Sequence, residues 1–224
     1  MLVPSISPHF LGTLNLYVRF TIFVKVDTLT INDYLSNIKR KDVSIMIYPY
    51  KGKYPEIADS VYIAEYATVT GDVKIGEETN IWFNTVIRGD VAPTIIGKRV
   101  SIQDNSTLHQ SPNNPLIIED DVTIGHQVIL HSSIIRKNAL IGMGSIILDG
   151  TEVGEGAFIG AGSLVPQGKK IPPNTLAFGR PAKVIRELNE EDQKDMARIR
   201  REYVEKGQHY KELQEKRDNK EARQ

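Results

Sequence analysis

A six-residue beat of aliphatic side chains runs through the middle of this chain. Ile63, Val69, Ile75, Ile81 and Ile87 are each six apart. The beat resumes at Ile96, Ile102 and Leu108, again at Ile118, Ile124 and Leu130, and then runs through Ile135, Ile141, Ile147, Val153, Ile159, Val165 and Ile171. A small or β-branched residue usually stands four places later, as at Ala67, Thr85, Val100, Ser106, Val128 and Ser163. Gly often follows the beat directly, as at Gly76, Gly125, Gly142 and Gly160. A period of six matches neither an α-helix nor a hairpin meander. It suits strands of about two to four residues separated by tight corners, three to a coil, with coils about 4.8 Å apart. Such repeats cannot bury an apolar face alone and must stack on their neighbours. The beat residue then points into a triangular prism, while the small residue and Gly let the chain pass the corner without a Cβ clash.

The beat resembles that of the hexapeptide-repeat superfamily, and that resemblance implies a left-handed parallel β-helix, an exception to the right-handed crossover rule. The expected fold class is therefore mainly β, a left-handed parallel β-helix followed by a C-terminal α-helix. Three segments are expected: an N-terminal extension over 1–45, the β-helix domain over 46–186, and a helix and tail over 187–224. Residues 1–45 break the pattern, and Met46-Ile47-Tyr48-Pro49-Tyr50-Lys51-Gly52 reads as a natural start, with 1–45 an upstream or poorly packed stretch or, alternatively, a genuine lineage-specific arm. The apolar run from Phe10 to Val18 is too short to span a bilayer, and no secretory signal is expected. Beyond Leu188, Met196, Ile199, Tyr203, Tyr210 and Leu213 recur near helical spacing among dense charge, which predicts a helix with one apolar stripe. Asn189 and Asp192 mark its N-cap region.

Charge excludes some partners. The 28 basic residues balance 28 acidic ones, so neither a nucleic acid nor a membrane surface is expected as a partner. There is no Cys, which removes disulfides and thiolate chemistry. A cytoplasmic location is expected.

The beat also acts as a ruler for the histidines. Of five in the chain, His109, His126 and His131 fall inside the β-helix. His109 follows Leu108 and His131 follows Leu130, each one place after a beat, with three beats between them. They should share a face one coil apart and point outward, with residues 110–115 bulging as a loop. Arg88, after Ile87, joins the same column if Asp90 to Thr94 holds a small insertion. His126 lies two places after Ile124, above Asp104 with Gln103 beside it, in a second column on an adjacent face. One prism does not easily bring both columns to one ion, whereas prisms packed in a three-fold ring do. The spacing thus predicts a homotrimer with intersubunit metal sites, each built from His109 and His131 of one chain and His126 of its neighbour. Three imidazoles with an open position are a ligand set of catalytic zinc.

The runs Val86-Ile87-Arg88-Gly89-Asp90, Ile102-Gln103-Asp104-Asn105, His109 and Ile124-Gly125-His126 with His131 are similar to those of γ-class carbonic anhydrases. The likeness covers about 46–188. It includes Gly179-Arg180-Pro181-Ala182-Lys183-Val184-Ile185-Arg186, a run shared with hexapeptide acyltransferases. The resemblance implies a carbonate dehydratase-like lyase that interconverts CO2 and bicarbonate. Zn2+, with Fe2+ or Co2+ as alternatives, would acidify its bound water and supply hydroxide. It further implies that Gln103 orients the hydroxide or bicarbonate, and that Arg88, Asp90 and Asp104 form a charge network across the subunit seam. Trp82 is read as packing. The sequence departs from the family's most active pattern in three places. Val91 follows Asp90, the 110–115 loop has no carboxylate, and Ser101 stands where many relatives carry Asn. Slow turnover is expected where no acid relays the proton. Two other readings stay open: a non-catalytic trimeric metal-binding or assembly module, and a hexapeptide acyltransferase using one His as general base.

Overall fold

The computed structural model describes residues 46–221. The segment 1–45, read from sequence as an extension ahead of Met46, and residues 222–224 lie outside the described residues. From Met46 onward the chain winds into a parallel β-solenoid. On its first side, strands Tyr62–Ile63, Asn80–Ile81, Ser101–Ile102, Thr123–Ile124, Leu140–Ile141, Phe158–Ile159 and Thr175–Gly179 stack in that order, seven coils deep. Strand Ala182–Glu187 then turns back antiparallel to close the stack. The second side carries Thr107–His109, Ile129–His131, Ile146–Ile147 and Leu164–Val165. The third carries Leu116–Ile118, Ile134–Ile135, Glu152–Val153 and Lys170–Ile171. Strands Thr68–Ile75 and Val86–Ile96 run round the corner between these two sides.

The interior follows the beat. Ile81, Ile102, Ile124, Ile141 and Ile159 sit directly above one another on the first side, and all are fully buried. Ile87, Leu108, Leu130, Ile147 and Val165 do the same on the second. The small residues four places on are buried too, and the adjacent coil satisfies the hydroxyls of Thr85 and Ser106. Thr85 Oγ1 donates to the Gln103 carbonyl at 3.1 Å and Ser106 Oγ to the Gly125 carbonyl at 3.1 Å. A Ser or Thr therefore fits a dry corner because the backbone of the next coil offers it an acceptor.

The corners differ in one respect from the sequence expectation. The turn is made three places after the beat, where the backbone enters the left-handed region at Tyr66, Asn84, Asn105, Gln127, Asn138 and Gly144. Several of these are Asn or Gly, the residues that tolerate that conformation best. Gly125, directly after a beat, serves a separate need. A Cβ there would lie 2.7 Å from the Met143 backbone nitrogen of the next coil.

Helix Glu190–Glu221 begins with a reciprocal cap: Asn189 Oδ1 accepts from the Asp192 amide and Asp192 Oδ2 from the Asn189 amide, both at 2.9 Å. It lies over the early coils of the first side. Met196 is buried and Tyr203 packs edge-on to Trp82, as the apolar stripe predicts, and Trp82 joins this aromatic cluster with Tyr62 and Phe83. Tyr210, on the same stripe, also joins the cluster, its ring 5.3 Å from that of Trp82, while part of it and of Leu213 stays exposed in the single chain. The backbone also comes close at buried Gly207, where a Cβ would stand 2.8 Å from Asn80 Cβ. No described helix is long and apolar enough to cross a membrane.

Candidate metal centre

The ruler places the second-side column where the count puts it. His109 and His131 are direct cross-strand partners, and Arg88 follows Ile87, itself paired with Leu108. Each follows an inward-pointing residue, so each side chain stands on the outer surface. The insertion expected after Asp90 is present: partners step from Gly71 opposite Gly89 to Val73 opposite Thr94. Residues 110–115 form the expected loop, closed by a bridge between Ser111 and Asn114.

In this column His109 Nδ1 lies 3.1 Å from His131 Nε2. Two imidazole nitrogens bound to one tetrahedral zinc, each at about 2.05 Å, stand about 3.3 Å apart. The pair is thus spaced as two ligands of one ion. Both rings are held at their far nitrogens by carboxylates. Asp90 Oδ1 is 3.0 Å from His109 Nε2, and its Oδ2 accepts from Arg88 Nη1 at 2.6 Å. Asp149 Oδ1 is 2.6 Å from His131 Nδ1, and its Oδ2 accepts from the Ser111 hydroxyl. Burial alone would raise the Asp90 carboxyl, but hydrogen bonds from Arg88 and His109 outweigh it and hold it below the usual carboxylate range. Asp149 is held down in the same way, with Ser111 and His131 outweighing burial.

The second column forms a separate pair. Asp104 Oδ2 lies 2.7 Å from His126 Nδ1, and His126 is 41% exposed. Gln103, beside Asp104, is only 5% exposed. The charge network expected of Arg88, Asp90 and Asp104 divides within the chain: Arg88 pairs with Asp90, and Asp104 with His126. Among the described residues of one chain, no three His, Asp or Glu side chains converge as a metal site. One chain brings together two imidazoles and presents the third on another corner.

The sequence reading missed Asp149 and Ser111. The loop itself indeed carries no carboxylate, but one reaches it from the next coil. Asp149 lies 18 residues beyond His131, in the next coil but two places after the Ile147 beat, so it meets His131 diagonally and outside its column. Near Asp104 lies the aromatic cluster under the helix. There Tyr62 is pushed up to about 12, chiefly by burial, and Tyr203 is raised by burial and then by the Asp104 charge.

Comparison with known proteins identifies the family. The family model for the bacterial transferase hexapeptide (six repeats) matches residues 54–89 and 132–167. A carbonic anhydrase of Geobacillus kaustophilus is 78% identical over 172 residues, covering 77% of this chain and 94% of that protein. The mitochondrial gamma carbonic anhydrase 2 of Arabidopsis thaliana is 36% identical over 146 residues, 62% of this chain and 52% of its own length. A Bacillus cereus crystal structure described as that of a candidate acetyltransferase is 77% identical and superposes with a TM-score of 0.75, covering 75% of this chain and 98% of that one. The chain belongs to the γ-carbonic anhydrase-like family of hexapeptide-repeat proteins.

Proposed function

We propose that this chain is a γ-carbonic anhydrase-like metalloenzyme that interconverts CO2 and bicarbonate at sites between the subunits of a homotrimer. The observation that carries the reading is the His109–His131 pair, in register and 3.1 Å apart, in a chain 78% identical to a protein named carbonic anhydrase. His109 and His131 would hold the ion from one subunit and His126 from the next. Zinc, or iron or cobalt, which imidazole suits equally, would supply the Lewis acidity that lowers the pKa of a bound water toward neutral pH and so provides the nucleophile. The remaining tasks belong to the chain. Gln103, beside the His126 column, hydrogen-bonds and orients the attacking oxygen or the bicarbonate. Asp90, braced by Arg88, fixes the His109 ring. Asp104 does the same for His126.

Stopped-flow CO2 hydration with metal analysis on anaerobically purified protein tests the reading. Metal-dependent hydration, lost in His131→Ala together with the metal, supports it. A fully metal-loaded protein with no hydration above buffer, whether loaded with zinc, cobalt or iron, would leave the non-catalytic assembly module. The acetyltransferase description of the Bacillus cereus relative favours a second reading, acyl transfer with a histidine as base. Release of CoA from acetyl-CoA with an amine acceptor, abolished in His126→Ala, would support it instead.

A further inference from the structure

We infer that Asp149 is a positioning residue of the metal centre: it takes the Nδ1 hydrogen of His131 and so turns the Nε2 lone pair toward the ion. The inference rests on the metal-site reading and goes beyond it, because Asp149 lies outside the histidine columns and outside every motif run that carries the family likeness.

An ionised carboxylate only accepts hydrogen bonds. Asp149 Oδ1 stands 2.6 Å from His131 Nδ1, so that nitrogen carries the hydrogen. A neutral imidazole has only one N–H, which leaves Nε2 as a bare lone pair. Nε2 is the atom facing His109 Nδ1 at 3.1 Å. At the other end Asp90 Oδ1, 3.0 Å from His109 Nε2, sets the second ring in the mirror sense. Two lone pairs then confront each other at a spacing that only a shared cation or proton relieves. A carboxylate behind a ligating histidine fixes its tautomer and ring orientation and raises its basicity. In this chain one carboxylate stands behind each ring.

The loop that interrupts the beat gains a purpose on this reading. Ser111 donates its hydroxyl to Asp149 Oδ2, so both carboxylate oxygens are engaged. Ser111 is itself fixed: its amide donates to Ser132 Oγ at 2.7 Å, and Ser132 Oγ donates to the Asn114 carbonyl at 2.7 Å. Residues 110–115 thus brace the carboxylate that braces the ligand.

Zinc affinity of the full chain, measured by chelator competition, tests the role. Asp149→Ala should weaken zinc binding about 10- to 100-fold. Asp149→Asn, which still accepts through Oδ1 but lacks the charge, should weaken it less, and Ser111→Ala least. In the zinc-loaded protein an exchange-protected imidazole N–H signal from His131 should be present in wild type and in Asp149→Asn and absent in Asp149→Ala. A turn-supporting role alone would lower the melting temperature and leave affinity and signal alone. Zinc affinity within about twofold of wild type in a folded Asp149→Ala overturns the inference. If that variant does not fold, unchanged affinity in the isosteric Asp149→Asn overturns it. His131→Ala separates the two readings. If it keeps stoichiometric zinc, the metal site itself is wrong; if it loses zinc while Asp149→Ala binds normally, only the role of Asp149 falls.

Discussion

An intersubunit site makes a prediction that an intrachain site cannot share. His109 and His131 are cross-strand partners 3.1 Å apart, whereas His126 sits on another corner paired with Asp104. His109→Ala and His126→Ala should each abolish metal binding as homotrimers, because every site then lacks one ligand. Combined in one ring, they should complement. A site needs His109 and His131 from one subunit and His126 from its neighbour in a fixed direction round the ring. In a ring of two His109→Ala chains and one His126→Ala chain, one neighbour pair in the correct order is intact, and the reverse ratio gives the same count. Every mixed ring in a cyclic three-fold assembly therefore regains about one third of the wild-type sites, whatever its composition. Co-expression with two different tags and sequential affinity purification isolates the mixed rings, and zinc per trimer and CO2 hydration are read on the same sample. His109→Ala combined with His131→Ala is the control. Both residues come from the same subunit, so each ring should stay empty. Metal-free, inactive His109→Ala/His126→Ala rings would refute the shared-site geometry, as would recovery in the control.

Other outcomes follow from the scaffold. Ile102 is fully buried between Ile81 and Ile124 in the interior column, so Ile102→Ala should cost about 2–5 kcal/mol, read as a fall in the urea midpoint. Gly207→Val should lift the helix from the first side, since its Cβ would start 2.8 Å from Asn80 Cβ. Trp82, the single tryptophan, is 6% exposed beneath that helix, and its fluorescence should shift to the red while the β signal in circular dichroism persists. Asp192, at the helix start, has its carboxyl lowered to about 2 by the Arg186 hydrogen bond and then by the Asn189 amide. A lowered folded-state value stabilises the fold above the unfolded carboxyl value of about 3.9 and is lost as pH falls toward 2. Asp192→Asn should therefore melt lower than wild type at pH 6, and the gap should close between pH 4 and pH 2 in a thermal titration.

The periodicity made the prism and its columns legible because each coil adds a fixed number of inward residues and the insertions fall at corners. That is why the His109–His131 pairing could be counted across a 22-residue separation, with the 110–115 loop subtracted. The count was least informative where contact runs diagonally between register positions. His131 stands one place after its beat, while Asp149 stands two places after the beat of the next coil, and they meet because one side chain leans along the corner toward the other. A column count records which residues stack and does not record such leaning. The helix shows the same limit from the other direction. Its apolar stripe marked the docking face at Met196, Tyr203 and Tyr210, but a further close approach is made at Gly207, which has no side chain to contribute to a hydrophobic pattern. Burial patterns announce a site's walls through what side chains hide from water. The atoms that orient a ligand are polar and partly exposed, and they enter the periodic signal only as interruptions. In this chain the interruptions at 90–94 and 110–115 fall beside the two histidines, and each brings a group that reaches one of them: Asp90 directly, and Ser111 through Asp149.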